Sequence, residues 1–151
     1  MEKNKLLNTI KALKKEGKWN HCFELDNGIQ TIPKEEIPKS EGSNLKKWER
    51  ITSLINENYF TNKKILDVGC SDGYFSLMTS KFAKEVVGID LDSSRIKKAN
   101  FIKSYFNLNN CSFLNQNITE LINDEFDIGL LFGLIHRLPD PISFLNTTSK
   151  I

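Results

Sequence analysis

Two aspartates and two glycines stand at spacings that suit the binding of a nucleoside. Asp67, Gly69 and Gly73 lie in Lys63–Gly73, KKILDVGCSDG, where a short apolar run ends in a glycine loop. Asp90 ends a second apolar run, about twenty residues further on. Glycine permits a sharp turn and a close approach of backbone to ligand, and a carboxylate accepts hydrogen bonds from ribose hydroxyls. The spacing therefore predicts a nucleoside site at the tips of two strands.

The elements that must position these residues alternate between strand and helix from Lys63 onward. Strands are expected at Lys64–Val68, Glu85–Asp90, Cys111–Asn115 and Phe126–Phe132. Helices are expected at Tyr74–Phe82, from a cap at Ser93 or Ser94 to about Phe106 with Ile96, Ile102 and Phe106 facing inward, and from Asp140-Pro141. Repeated strand–helix units predict an α/β fold, a doubly wound parallel sheet with right-handed crossovers.

The segment before this sheet is predicted to hold a helix, a hairpin and a linker, residues 1–43. Leucines and isoleucine at helical spacing predict a first helix that stops at Gly17. Its lysines suit either a solvated face, which we favour, or a basic arm for RNA phosphates. Asn27-Gly28 predicts a tight hairpin, and Pro33–Ser43 reads as a linker.

A second helix, capped by Ser43 or Asn44, opens the predicted domain of residues 44–151. It carries one apolar stripe that is most simply explained as core, formed by Leu45, Trp48, Ile51, Leu54 and Ile55.

Composition narrows the classes of protein. The net charge of +2, with 26% charged residues, indicates neither a nucleic-acid nor a membrane surface. The three cysteines are far apart, odd in number and without CxxC spacing, so we expect no metal site or disulfide framework, and a cytoplasmic location fits best. No apolar run is long enough to span a bilayer, so no membrane partner is expected.

Four segments resemble the motifs of class I S-adenosylmethionine-dependent methyltransferases, in order and at suitable spacing. They are Leu66–Gly73 (LDVGCSDG), Val87–Asp90 (VGID), Phe113–Ile118 (FLNQNI) and Phe126–Phe132 (FDIGLLF). The resemblance runs from Lys63 to about Leu145. It implies a Rossmann-like fold and S-adenosyl-L-methionine as the cofactor.

The resemblance assigns cofactor contacts residue by residue. It places Asp67 near the cofactor's amino group, Asp90 on the ribose hydroxyls and Leu91 beside the adenine. Asn117 stands where the family usually has aspartate, and its oxygen would accept from the adenine amino group. The full set that the resemblance implies is Asp67, Gly69, Cys70, Ser71, Gly73, Asp90, Leu91, Asn117, Ile118 and Phe132.

Simpler structural roles compete at some of these positions. Asp67 and Asp90 suit helix capping too, although their place at strand ends beside a glycine loop favours binding. For Asn117 a role in forming a loop turn is as good an explanation as adenine binding, because the asparagine side chain readily hydrogen-bonds to nearby backbone. Cys70 is expected to be a small buried side chain, and Ser71 replaces the family's commoner glycine.

The loop after strand four holds the candidate catalytic residues, His136 and Arg137. Many family members have a tyrosine–histidine pair here, whereas this chain has the histidine one place earlier. His136 is a candidate base, needed only if the acceptor is a hydroxyl or a protonated nitrogen. A polar loop residue is an equally good interpretation, and Arg137 would either hold an anionic substrate or remain solvated.

A narrower resemblance, to the branch with the tRNA wobble-uridine carboxymethyltransferases, rests on two upstream segments, Asp26–Thr31 and Lys47–Ile51. It raises the prospect of a cofactor with an extra carboxylate. No cationic cluster specifies that carboxylate, so ordinary S-adenosyl-L-methionine is preferred.

The usual class I sheet has further strands beyond the fourth, so the sheet here is expected to be incomplete. Phe126–Phe132 is apolar on both faces, which suits a central strand. Two explanations stand: a truncated product, or a second chain that covers the exposed edge.

Three functions follow from these motifs. The leading one is methyl transfer to a small molecule or tRNA, and the second is a non-catalytic or partner-dependent cofactor-binding module. A dinucleotide-dependent oxidoreductase is disfavoured, because Gly69–Tyr74 lacks the Gly-x-Gly-x-x-Gly spacing.

Overall fold

Helices and strands alternate along the chain in the computed structural model, which describes residues 2–37, 42–121 and 124–149, with backbone alone at 42 and 43. The chain divides into two units, residues 1–56 and residues 57–151, each with its own internal contacts. The predicted division after residue 43 stays a prediction. Among the described residues, no helix combines the length and apolarity needed to cross a bilayer.

The first helix, α1 (Lys3–Glu16), forms where the leucine spacing predicted it. Leu6 and Ile10 are buried, and the helix ends before Gly17. Lys14 and Lys15 lie in its last turn, where positive charge favours the helix dipole. The solvated-face interpretation of its lysines fits this amphipathic packing.

The Asn27-Gly28 turn is present, but the strands of the predicted hairpin shrink to a single antiparallel bridge between Glu24 and Gln30. Asn27 and Gly28 both have positive φ, 58° and 69°, as a primed hairpin turn requires. One residue beyond the bridge, the Thr31 hydroxyl accepts the Phe23 N–H at 2.9 Å. The Phe23 N–H therefore bonds to a side chain instead of to a backbone carbonyl that would have extended the pairing of the two strands.

Helix α2 (Gly42–Ile55) corrects two predictions. It begins before Ser43 and Asn44, so neither residue is its N-cap. Of the predicted apolar stripe only Trp48 is buried, whereas Leu54 is 76% exposed, with Leu45 and Ile55 also exposed. Periodicity identifies the apolar face of a helix but not whether anything covers it. The predicted linker contains a short 3-10 helix at Lys34–Glu36, and its residues 38–41 lie outside the described ranges.

The second unit is built on a four-stranded parallel sheet of order β3-β2-β1-β4. Its strands are β1 (Lys64–Val68), β2 (Glu85–Ile89), β3 (Cys111–Leu114) and β4 (Ile128–Leu130). The order changes direction at β1, and the ends of strands beside such a switch point are where ligands bind in open α/β sheets. The Rossmann-like α/β prediction is confirmed.

Strand β4 is shorter than the predicted Phe126–Phe132, and at its start Asp127 bonds to Lys64 with both its backbone and its side chain. Its N–H donates to the Lys64 carbonyl at 2.9 Å, and its side chain accepts the Lys64 N–H at 2.7 Å. The pairing at the start of β4 is therefore made partly by a carboxylate rather than by a backbone ladder.

Three helices complete this unit, α3 (Tyr74–Ser80), α4 (Ser93–Tyr105) and α5 (Pro141–Thr148). The Asp140 cap and Pro141 at the first helical position are confirmed, since Asp140 accepts the Ser143 N–H at 2.9 Å. The predicted caps Ser93 and Ser94 are wrong, because the N-cap of α4 is Asp92, which accepts the Ser94 N–H.

The predicted inward face of α4 is right at two positions and wrong at the third. Ile96 and Ile102 are buried, whereas Phe106, just past the end of the helix, is 38% exposed. Residues beyond the last helical turn no longer follow the helical spacing, so that spacing does not predict their burial.

The Phe113 ring fixes the distance between the glycine loop and the sheet. A methyl group at Gly73 would lie 2.9 Å from Phe113 Cζ, and one at Gly88 would lie 2.6 Å from Phe113 Cδ1 and 3.0 Å from Cys70 Sγ. Both distances are too short for carbon contacts. The two glycines therefore leave the space that this aromatic ring fills.

We expect Gly88→Ala to lower the free energy of unfolding by about 1–3 kcal/mol, because the Phe113 ring must move. Gly129→Ala is the matched control, since Gly129 is also in the sheet but has open space where its methyl group would be. Urea unfolding followed by circular dichroism measures both. Equal losses in the two variants would contradict the packing argument.

We also expect the Asp92 cap to make stability depend on pH. Hydrogen bonding from Ser94 is the main influence that lowers the pKa of Asp92 from its ordinary value of 3.8. A lowered folded-state pKa stabilises the protein above the unfolded value and loses that effect as pH falls through the folded value. The stability difference between wild type and Asp92→Asn should therefore shrink below about pH 4, in urea titrations at pH 7 and pH 3.

Asp92→Ala is the companion variant, and removal of the cap should cost about 0.5–2 kcal/mol. A difference between wild type and Asp92→Asn that stays constant with pH would count against the role of the charge.

Candidate functional site

Asp67 is held in place by a hydroxyl from the helix that follows it. It lies near the end of β1 and is 2% exposed. The fully buried Ser76, in the first turn of α3, donates its hydroxyl to Asp67 Oδ2 at 2.6 Å. A charge-assisted bond of this kind is about twice as strong as a neutral one, so it fixes the rotamer of the carboxylate.

The loop from Gly69 to Gly73 bends through three residues with positive φ. The φ angles are 72° at Gly69, 55° at Ser71 and 87° at Gly73. The N–H groups of Gly69 and Cys70 both donate to the Ile89 carbonyl, at 2.8 and 3.0 Å. The loop is thus tied to the tip of β2, and these amides are used within the protein rather than offered to a ligand.

Asp90 completes this connection with its side chain. Its Oδ2 accepts the Ser71 N–H at 2.9 Å, and its Oδ1 accepts the Asp92 N–H at 2.9 Å. The guanidinium of Arg95 lies 3.6 Å from Asp90 Oδ2 and 3.3 Å from Asp92 Oδ2. Each carboxylate oxygen has a second lone pair, so Asp90 is oriented by the protein and retains capacity to accept hydrogen bonds.

The pKa of the Cys70 thiol is raised by its surroundings in the loop. Burial is the main cause of its raised pKa, and the charges of Asp67, Asp90 and Asp72 raise it further. All three carboxylates are buried, with Asp72 fully so. Cys70 therefore remains a thiol beside three buried carboxylates.

Leu91 and Ile118 are placed differently around this edge of the sheet. Leu91 is 73% exposed beside Asp90, an open apolar surface next to the carboxylate. Ile118 is 5% exposed and belongs to the core cluster with Leu66 and Val87.

Asn117 caps a short helix. Its Oδ1 accepts the Thr119 N–H at 3.2 Å, and its own N–H donates to Glu120 Oε1 at 3.1 Å. This reciprocal pattern is a capping box at the start of the 3-10 helix Ile118–Leu121. The turn-forming interpretation of Asn117 therefore has direct contacts in the structure.

The segment after β4 passes over the glycine loop. The Leu134 side chain would lie 3.6 Å from a methyl group at Gly69. The Phe132 ring packs against Phe75 of α3, with ring centroids 4.4 Å apart. Phe132 thus contacts α3 and Leu134 lies near Gly69 of the glycine loop. The predicted place of Phe132 beside the cofactor stays a prediction.

His136 and Arg137 lie on an exposed 3-10 helix, Ile135–Arg137. Arg137 Nε donates to His136 Nε2 at 3.4 Å. The catalytic role of His136 and Arg137 stays a prediction.

Three residues that contact Asp67 or Asp90 were missed by sequence reasoning. Ser76 and Arg95 bond to the two carboxylates, and Asn115 Nδ2 donates to the Asp90 carbonyl at 2.8 Å. The position of Arg95, three residues after Asp92 at the start of a helix, is a signal that the sequence contains. The contacts of Ser76 and Asn115 join residues that are far apart in the sequence, so no local pattern predicts them.

The part of the chain that the structure describes holds no group of three or more histidine, cysteine or carboxylate side chains that would bind a metal ion.

The sequence matches a family described as a methyltransferase domain over residues 60–151, more than half of the chain. It is similar to the ribosomal protein L11 methyltransferase of Fusobacterium nucleatum subsp. nucleatum, with 31% identity over 67% of this chain and 35% of that protein. It also resembles the ubiquinone biosynthesis O-methyltransferase of Histophilus somni, with 32% identity over 60% of this chain and 40% of that protein. The chain thus spans less than half the length of these relatives.

Solved structures share the fold at low sequence identity. The N-terminal domain of EvdMO1 with SAH bound superposes with a TM-score of 0.80, covering 100% of this chain and 62% of that one at 16% identity. The DhpI–SAH complex has a TM-score of 0.57, covering 76% of this chain and 53% of that one at 19% identity. Together with the residues matched by the family, the fold shows that this chain belongs to the class I S-adenosylmethionine-dependent methyltransferase domain family.

Proposed function

We propose that this chain binds S-adenosyl-L-methionine at the carboxyl ends of β1 and β2 and transfers its methyl group to an acceptor. The observation that carries the proposal is the orientation of Asp90. Two backbone donors, from Ser71 and Asp92, hold its oxygens at 2.9 Å beside a glycine loop. A pre-oriented acceptor of this kind suits the paired hydroxyls of a ribose, since little ordering is needed on binding.

The buried carboxylates suit the charge of this cofactor. S-adenosyl-L-methionine carries a sulfonium and an ammonium, and Asp67, Asp72 and Asp90 are all buried around the loop. Because Asp67 already accepts the Ser76 hydroxyl, it would act on the ammonium through its charge, by way of water or backbone. Leu91 would cover the adenine, and Phe132 would lie near the sulfonium.

Methyl transfer itself needs little from the protein beyond positioning. When bound, with its ribose at Asp90, S-adenosyl-L-methionine would supply an activated methyl group to the acceptor's lone pair and would leave as S-adenosylhomocysteine. Alignment of the two reactants supplies much of the acceleration. His136 would take the acceptor's proton where the acceptor carries one, and Arg137 would hold an anionic acceptor.

The acceptor that we propose is a small molecule, with tRNA as the alternative. The net charge of +2 provides no broad positive surface for nucleic acid. The relatives act on ribosomal protein L11 and in ubiquinone biosynthesis by name, and neither acceptor is specified by residues described here. The three cysteines are free, which supports a reducing, cytoplasmic setting.

A non-catalytic or partner-dependent cofactor-binding module is the alternative function. β4 lies at one edge of the described sheet, where a second chain is the partner that the sequence suggested. Cofactor binding with methyl transfer only after a second protein is added would favour this alternative.

We expect Asp90→Ala to weaken S-adenosyl-L-methionine binding by tenfold or more. A tenfold loss of affinity corresponds to about 1.4 kcal/mol, and a charge-assisted hydrogen bond contributes at least that much. Isothermal titration calorimetry measures the dissociation constant. Asp124→Ala is the control, since it removes an exposed carboxylate that is not among the predicted cofactor contacts. Unchanged affinity in folded Asp90→Ala protein would reject the site.

We expect Ser76→Ala to lower the free energy of unfolding by about 1–3 kcal/mol, because the buried Asp67 loses its hydroxyl donor. Ser104→Ala removes an exposed helical hydroxyl and should stay within about 0.5 kcal/mol of wild type. Urea unfolding of Ser76→Ala, Asp67→Ala and the double variant gives a double-mutant cycle, which measures the interaction energy between the two side chains. Strictly additive losses would show that the two side chains do not interact.

A further inference from the structure

Arg95 lies beside the carboxylate that the proposed function assigns to the ribose. Its guanidinium Nη1 is 3.6 Å from Asp90 Oδ2, and its Nε is 3.3 Å from Asp92 Oδ2. A separation of 3.6 Å is too long for a hydrogen bond. Asp90 and Arg95 therefore attract each other by charge, without a hydrogen bond between them.

Both members of this pair keep hydrogen-bonding capacity. Asp90 Oδ2 accepts the Ser71 N–H at 2.9 Å, and a carboxylate oxygen can accept a second hydrogen bond. Arginine carries five N–H groups, more than contacts with two carboxylate oxygens can engage. The Arg95 side chain is 37% exposed, so a ligand can reach it. An acceptor and a donor thus lie next to each other just past the end of β2.

The opposite charges of the pair favour a neutral group that both donates and accepts. An ammonium would donate to Asp90 but would be repelled by the Arg95 cation, and a phosphate would be repelled by the Asp90 carboxylate. A hydroxyl donates its hydrogen to the carboxylate and accepts an N–H through its own oxygen. The ribose hydroxyls are the groups of S-adenosyl-L-methionine with this property.

A hydroxyl bound in this way would be held more firmly than by either partner alone. An N–H donated by Arg95 to the hydroxyl oxygen polarises the O–H bond, which makes the hydroxyl a better donor to Asp90. The Asp90 side chain is only 7% exposed, so water competes little at that end.

Asp92 fixes the guanidinium and the carboxylate relative to each other. It is the N-cap of α4, and its N–H donates to Asp90 Oδ1 at 2.9 Å. The backbone N–H of Arg95 donates to the Asp92 carbonyl at 3.0 Å, and the two side chains form the 3.3 Å ion pair. The first turn of α4 therefore places the cation before any ligand binds, so little ordering is needed.

We propose that Arg95 is a further cofactor-binding residue, which donates a hydrogen bond to the same ribose hydroxyl that donates to Asp90. The inference rests on the proposed function, since it requires the ribose on Asp90. It adds a cation to a position of the site for which the sequence motifs assigned an acid alone.

The test compares S-adenosylhomocysteine with its 2′-deoxy and 3′-deoxy analogues by isothermal titration calorimetry. Wild type should bind the parent compound about tenfold or more tighter than the analogue that lacks the shared hydroxyl. Arg95→Met removes the charge and the donors, and should weaken binding of the parent compound by about three- to tenfold. Its affinity for that analogue should stay within about twofold of wild type, because no hydroxyl remains for Arg95 to contact.

Lys97→Met is the matched control, because it removes an exposed cation from the same helix. It should leave all three affinities within about twofold of wild type. The thermal midpoint of each unliganded variant reports folding. If Arg95→Met does not fold, Arg95→Ala decides on the same criterion, since alanine is the strongest helix former.

A second comparison separates direct contact from an action through Asp90. In the Asp90→Ala background, Arg95→Met should still weaken binding of S-adenosylhomocysteine by about twofold or more, because the hydroxyl oxygen can still accept from Arg95. No effect in that background would show that Arg95 only orients Asp90, and would reject the contact.

Unchanged binding of S-adenosylhomocysteine by folded Arg95→Met, or an equal loss for all three ligands, would overturn the inference and leave the proposed function intact. Wild type that binds the parent compound and both analogues equally well would also overturn it, because no ribose hydroxyl would then lie at the pair. If wild type does not bind S-adenosylhomocysteine, the proposed function fails and the inference fails with it.

Discussion

The bond from the Ser71 N–H to the Asp90 carboxylate is the contact on which the site depends. It fastens the loop after β1 to the tip of β2, and the N–H groups of Gly69 and Cys70 reinforce it through the Ile89 carbonyl. Ser71 must adopt a left-handed backbone for this, which costs about 1–2 kcal/mol in a residue other than glycine. A hydrogen bond to a charged group contributes about 1.5–3 kcal/mol, so the bond offsets the strain.

This arrangement explains which ligand charge the site accepts. Glycine loops that bind pyrophosphate offer their amides to the anion. Here the amides of Gly69, Cys70 and Ser71 are occupied within the protein. Three buried carboxylates lie around them, and the Arg95 guanidinium nearby is paired with Asp90 and Asp92. A phosphate would meet negative charge without free donors from these residues, whereas a sulfonium and an ammonium are favoured. The occupied amides therefore agree with the loop spacing, which favoured a methyltransferase over a dinucleotide-dependent enzyme.

Sequence alone predicted the central part of the fold because that part is specified locally. The apolar run of β1, the glycines around it and Asp140-Pro141 before α5 each determine their own conformation, and the structure agrees. The exposed stripe on α2 and the exposed Phe106 were mispredicted because periodicity does not reveal what covers a face. Ser76 was missed because its importance lies in a contact with Asp67 that only the folded chain defines.

The carboxylates of the site are oriented by the fold before any ligand binds. Asp67 and Asp90 have donors from α3, the glycine loop and the start of α4, so folding itself orients them. Because these side chains are already ordered, the binding of a ribose at Asp90 would lose little free energy to ordering the protein. Affinity would then depend on contacts that the folded chain has formed in advance, and a variant that loosens the glycine loop should weaken binding even where every ligand contact is kept.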